Sequence, residues 1–193
     1  MGSLAVTGDA AADRLLNENP LALMVGMLLD QQIPIEWAFA SPAKLEQRLG
    51  EPLTAEAVVR RSVDEVSEIF GQKPALHRFP TSMAKRTHAL CDYLIDHHEG
   101  DAAAVWTEVD DAAELRRRLL ALPGFGKDKT RIFIALLAKR FGVRPDGWEG
   151  EAGHFATDGF HSVADLDGPD AVEALRAHRA ALKAAKKAQE ERP

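Results

Sequence analysis

The sequence has one cysteine, Cys91, in 193 residues. A lone cysteine excludes an internal disulfide framework. It equally excludes a zinc or iron–sulfur site built on four cysteines. No apolar run approaches the roughly 20 residues of a membrane span. The opening Met1-Gly2-Ser3-Leu4 lacks a basic segment followed by a long apolar one, so no secretory signal is expected. No convincing strand pair, internal repeat or long linker stands out. These absences point to a cytoplasmic protein with no membrane partner. With 46% hydrophobic and 28% charged residues, the chain can bury a real core.

Charge of one sign is also scarce, but only locally. The whole chain is at −6, yet Leu115 to Arg144 carries nine basic residues and one acid, Asp128. A net acidic protein can bind nucleic acid if one face carries the positive field. A solvated helix face is the plainer alternative.

The remaining pattern is helical. Asn19-Pro20 reads as an N-cap followed by proline at the first helical position, opening a buried helix over Leu21 to Gln32 that Pro34 ends. Ser41-Pro42 repeats that signal, and Gly50 is a stop. Thr54 opens a short helix to Arg60. Ser62 with Glu65 fits a capping box for a helix that closes at Phe70-Gly71. Thr81 or Ser82 starts a helix toward His98, with Met83, Thr87, Leu90, Leu94 and Ile95 on one stripe. Asp110 or Asp111 caps a helix through Leu122. A helix from Asp128 to Phe141 follows, with Gly142 as its C-cap. Residues 143–168 read as loop with one short helix, and Pro169 starts a last helix reaching Lys187.

Leu122-Pro123-Gly124-Phe125-Gly126-Lys127-Asp128-Lys129-Thr130 is the most informative segment. Two glycines one residue apart admit backbone conformations closed to other residues and leave no side chain in the way. The second helix then opens with free N–H groups, a place for a phosphate oxygen, with Lys127 and Lys129 beside it. This string resembles the helix-hairpin-helix (HhH-GPD) superfamily of base-excision DNA glycosylases, which contains endonuclease III, the adenine mismatch glycosylase and the alkylation glycosylases. The superfamily pairs the hairpin with a downstream Gly/Pro-rich loop and a catalytic aspartate. The loop here is Gly142-Val143-Arg144-Pro145-Asp146, and Asp146 lies 20 residues after Gly126, the family's spacing. Asn19-Pro20-Leu21 through Leu28-Leu29-Asp30-Gln31-Gln32 is similar to the family's early helix.

The resemblance implies an all-α, two-lobe fold. One lobe is a helical bundle of about 33–120, and the other joins about 1–32 to 121–193. It implies a monomer that acts on double-stranded DNA at the nucleoid and hydrolyses the N-glycosidic bond of a damaged or mismatched base. In that scheme Asp146 is catalytic. Gln31, Gln32, Pro123, Gly124, Phe125, Gly126, Lys127 and Lys129 contact DNA, with Gln32 as the wedge. Trp37 and Trp148 would stack on the extruded base. No cofactor is expected, apart from a monovalent cation on the hairpin carbonyls.

The chain also departs from the family. Lyase-active members carry a lysine two residues after the second glycine, and that position is Asp128. Gly147-Trp148 replaces the common Thr-His after the aspartate, and the iron–sulfur loop is absent. Two alternatives follow: a DNA-binding protein without chemistry, and a glycosylase–lyase using Lys127 or Lys129. His97, His98, His154 and His161 lack a zinc spacing and read as surface or loop residues. Tyr93 and Trp106 read as core. Arg176, Arg179, Lys183, Lys186 and Lys187 on the last helix read as a solvated face that could touch DNA backbone.

Overall fold

The computed structural model describes residues 3–190, without the side chains of 179, 182 and 185–190. Ten helices and no strand occur among the described residues: α1 (Ala10–Glu18), α2 (Pro20–Leu29), α3 (Ile35–Leu49), α4 (Ala55–Val59), α5 (Val63–Gly71), α6 (Pro80–His98), α7 (Ala112–Ala121), α8 (Lys127–Arg140), α9 (Trp148–Ala152) and α10 (Pro169–Glu190). None of them is long and apolar enough to cross a membrane. The local signals act as their chemistry requires. The Asn19 side chain accepts from the amides of Leu21 and Ala22, and Ser62 and Glu65 close a reciprocal capping box. Asp111 caps α7, and Gly50 takes the left-handed conformation after α3.

The centre of the fold is α2. Its side chains from Leu21 to Leu29 are all buried, so it is apolar all round and must be enclosed. It packs on α1 and α3, on α6, and on α8. One continuous apolar cluster runs from Leu4 through α2, Phe39, Phe70, Leu94 and Phe133 to Leu175. Trp106 lies inside it, while Tyr93 is only half-buried and stacks on His97 at 4.0 Å.

Local expectations change in places: α6 opens at Pro80, behind Phe79 and without a side-chain cap, rather than at Thr81 or Ser82, and three further changes bear on the fold. Ser41-Pro42 does not open a helix but lies inside α3. Ile35, Ala38, Phe39, Pro42, Leu45 and Leu49 form one buried stripe at spacings of three and four, and this carries the helix through the proline. The Ser41 hydroxyl sits 2.8 Å from Trp37 O and 2.7 Å from Leu76 O, so it serves a neighbouring segment as well as its own turn. Second, residues 143–168 hold α9 and two further single turns of tighter helix, Gly153–Ala156 and Val163–Asp165. Third, α2 stops at Leu29, three residues before Gln32, because its last carbonyls find side-chain partners instead.

Candidate nucleic-acid interface

The segment between α7 and α8 forms a turn in which the Phe125 amide donates to Leu122 O at 3.1 Å. Pro123 and Gly124 occupy its central positions. Gly124 has φ +86, the value a type II turn demands there and glycine provides. A Cβ on Gly124 would stand 2.3 Å from Leu28 Cδ1, so the turn lies directly against the last turn of α2. Phe125 is buried and meets Phe133 edge-on at 5.6 Å. Its ring therefore anchors the turn in the core, where the resemblance implies a DNA contact. Gly126 is the N-cap of α8, with φ −90, no side-chain cap and nothing within 4 Å of where a Cβ would stand. The amides opening α8 thus have no side-chain cap and stand beside the exposed Lys127.

Lys129 does not flank that opening. Its Nζ turns inward and donates to Met27 O at 2.5 Å and Asp30 O at 3.0 Å. Burial pushes its amine down to about 8, against the pull of the Asp30 carboxylate, and Arg86 adds to the fall. The reason for this geometry lies in α2. The Gln31 amide, which would continue the helix by bonding Met27 O, bonds Leu29 O at 2.7 Å instead. Met27 O is left to Lys129, and Leu28 O accepts from Gln31 Nε2 at 3.0 Å. Terminal helix carbonyls need such partners when buried.

The glutamine pair divides its roles. Gln31 is committed inward: its Nε2 also reaches Met83 Sδ at 3.2 Å, and its Oε1 accepts from Arg86 at 3.2 Å. Gln32 is exposed and has φ +58, a left-handed backbone uncommon outside glycine. The buried His77 holds the same corner from the other side. Its Nδ1 accepts from the Phe79 amide at 3.0 Å, so Nε2 carries the proton and donates to Gln31 O at 3.1 Å. Burial lowers the His77 pKa, favouring this neutral form.

Next to that histidine lie residues that no sequence motif marks. Phe79 is 42% exposed, and Arg78 lies over its ring at 5.4 Å. Lys73, Arg78, Lys85 and Arg86 are all exposed, and residues 69–91 contain no acid. This acid-free run is readable in the sequence, but the basic stretch after residue 115 is denser and outweighs it there. Much of that stretch is used internally. Arg116 pairs with Glu151, Arg117 and Arg118 with Glu114, Lys139 with Asp165, and Arg140 with Asp167. Arg144 donates to Ala138 O. Lys127 remains free to solvent.

Asp146 is exposed, and its main chain is tied to the start of α7: the Ala112 amide donates to Asp146 O at 3.0 Å. Gly147, at φ +81, turns the chain so that the Trp148 amide returns to Pro145 O. Trp148 is half-buried against the core. Trp37 is also half-buried, and its Nε1 donates to Ala75 O at 3.2 Å. Trp37 is thereby joined to the 75–79 segment and the glutamine corner, and Trp148 to the Asp146 turn.

A groove of about 800 Å³ lies elsewhere, between Val6–Gly8, Glu36 and α10, and no residue of the hairpin, the glutamine corner, the two tryptophans or the Asp146 turn lines it. Arg176 spans it to pair with Glu36, which accounts for one of the tail cations. The side chains of Arg179, Lys186 and Lys187 lie outside the described ones. Among the described residues no group of three or more His, Cys, Asp or Glu could hold a metal ion. No family model, curated protein or solved structure matches the chain.

Proposed function

We propose that the protein is a DNA glycosylase of the helix-hairpin-helix kind, which removes a damaged or mismatched base from double-stranded DNA by hydrolysis. The observation that carries this reading is the direct seating of the glycine turn on the end of α2. The start of α8 with Lys127 and the exposed Gln32, three residues beyond the end of α2, both follow closely on that contact; His77 and Arg86 each bond Gln31, and Arg78 and Phe79 flank His77 in sequence. A turn that binds phosphate and a corner that enters the stack are what extraction of a nucleotide requires.

In this reading the α8 amides and Lys127 hold a backbone phosphate, and Gln32 fills the space the nucleotide leaves. Asp146 stands at the other end of α7, ten residues and so about 15 Å along the axis. The C1′–N bond breaks, the base leaves with the electron pair and takes up a proton, and positive charge develops on the sugar. The Asp146 carboxylate stabilises that charge and accepts the proton of the water that adds to C1′. Trp148 lies close enough in sequence to border the base pocket. The two-lobe division, with DNA between the lobes, and a monomeric cytoplasmic enzyme at the nucleoid belong to the same proposal. The monovalent cation would rest on turn carbonyls. Leu122 O and Gly126 O are already engaged by the amides of Phe125 and Thr130, and no step here uses the ion.

The test is abasic-site formation on duplexes carrying uracil, a thymine mismatch, oxidised bases or alkylated bases. On the accepted substrate Asp146→Asn should lower excision about 10²–10³-fold, the usual loss for one transition-state electrostatic contact. Its affinity should hold or rise slightly, because a negative charge near phosphates is gone. Binding without abasic sites on any duplex would leave a DNA-binding protein without chemistry.

A further inference from the structure

We infer that Lys129 is a positioning residue: it fixes the Gln31–Gln32 corner against the hairpin and so holds Gln32 in its left-handed conformation beside Gly124–Lys127. The inference rests on the DNA reading only for what the corner does once presented. Its structural basis is independent. One ammonium from the first turn of α8 joins two carbonyls that flank the end of α2, about a hundred residues earlier in the chain. Those carbonyls sit on either side of the point where α2 breaks. Gln32 follows, in a conformation that a non-glycine residue keeps only when its surroundings over-determine it. Lys129 on Asp30 O and His77 on Gln31 O are the two side chains that do so, from opposite elements.

Stability alone does not explain a lysine here. Its amine is pushed down to about 8 by burial, so at neutral pH the charged form is a cost to the fold. The amine could not serve as an outward phosphate contact while it makes these bonds. The groups that face it are the carboxylate of Asp30, the C-cap of α2, the Arg86 guanidinium from α6 and the His77 imidazole before α6. Loss of its proton leaves a neutral, weaker donor on both carbonyls. The corner should then loosen as pH rises through about 8.

Two measurements test this, the first without DNA. Amide chemical shifts of Asp30, Gln31 and Gln32 in the free protein, followed from pH 6.5 to 9.5, should move together with a midpoint near 8. Lys129→Met should abolish that titration. An unchanged midpoint in Lys129→Met would assign it to another group, such as the terminal amine that also titrates near 8, and would overturn the inference. The second measurement is affinity for duplex DNA with a stable abasic analogue, read by fluorescence anisotropy. Wild-type affinity should fall about five-fold across the same range, the difference between a charged and a neutral donor. Lys129→Met should sit at the lower level throughout, and Lys129→Arg should stay high to pH 9. Wild-type affinity at every pH in Lys129→Met would refute the inference. Should the wild type bind no DNA while the amide titration holds, the positioning role stands and the DNA reading fails. If Lys129→Met does not fold, the wild-type pH profile and Lys129→Arg decide alone.

Discussion

Gly124 and Gly126 stand two residues apart, and their substitutions should separate the needs of the fold from those of a ligand. An alanine at Gly124 meets two penalties. At φ +86 its Cβ costs about 1–2 kcal/mol. It would also lie 2.3 Å from Leu28 Cδ1, and Leu28 is fully buried, so relief requires moving the hairpin off α2. Overpacking of this kind costs about 1–3 kcal/mol. The sum, about 2–5 kcal/mol, should lower Tm by about 4–20 °C for a domain of this size. Gly126 differs in both respects: its φ of −90 suits any residue, and nothing approaches the Cβ position. A serine there adds a side-chain cap to a helix that lacks one, so stability should stay level or rise by a few tenths of a kcal/mol. Yet its side chain would stand where a phosphate must approach the α8 amides. Gly126→Ser should therefore weaken duplex binding at least ten-fold with an unchanged melt. Urea denaturation and anisotropy on both variants supply the readings. Full DNA affinity in a folded Gly126→Ser protein would refute the phosphate role of the hairpin. A Gly124→Ala protein as stable as wild type would refute the stated contact with α2.

Two further predictions concern buried charge. Lys139 and Asp165 are 16% and 6% exposed in their side chains and lie 2.6 Å apart. Lys139→Met should destabilise the fold by about 3 kcal/mol in urea melts, since it strands a buried carboxylate, although Asp165 keeps the amides of His161 and Ser162. His77 has a folded pKa below its ordinary value, so the unfolded chain binds the extra proton first as pH falls. Stability should thus be lost below about pH 6.5, and His77→Phe should flatten that part of the curve in urea midpoints taken from pH 5 to 7.

The caps are legible in the sequence because they are local. Asn19, Ser62 with Glu65, Asp111 and Gly50 act within four residues of themselves, and sequence shows that range directly. The end of α2 is not legible, because the partner that takes Met27 O lies on α8. For the same reason Lys129 reads as a phosphate contact: a lysine beside a glycine turn carries no sign of which way its amine faces. The Ser41-Pro42 signal misleads because a buried apolar stripe outweighs one missing amide. The basic stretch overstates the free positive surface, since Glu114 lies just outside it one helical turn from Arg117 and Arg118, and Glu151, Asp165 and Asp167 follow it in sequence but are adjacent in the fold. His77, Arg78 and Phe79 belong to no motif, and only their position beside Gln31 marks them.

The bond from the Ala112 amide to Asp146 O has a consequence for how such a protein can change over time. It is main chain to main chain, so it asks nothing of the side chains around it. Val143, Glu149 and Gly150 can be exchanged without detaching the aspartate from α7. If Asp146 acts as proposed, specificity in this region would be free to drift, as substitutions reshape the neighbourhood of an aspartate whose main chain is held by topology. On the proposed reading, one scaffold would pass between substrates in single steps, each leaving the main chain of the aspartate where it was.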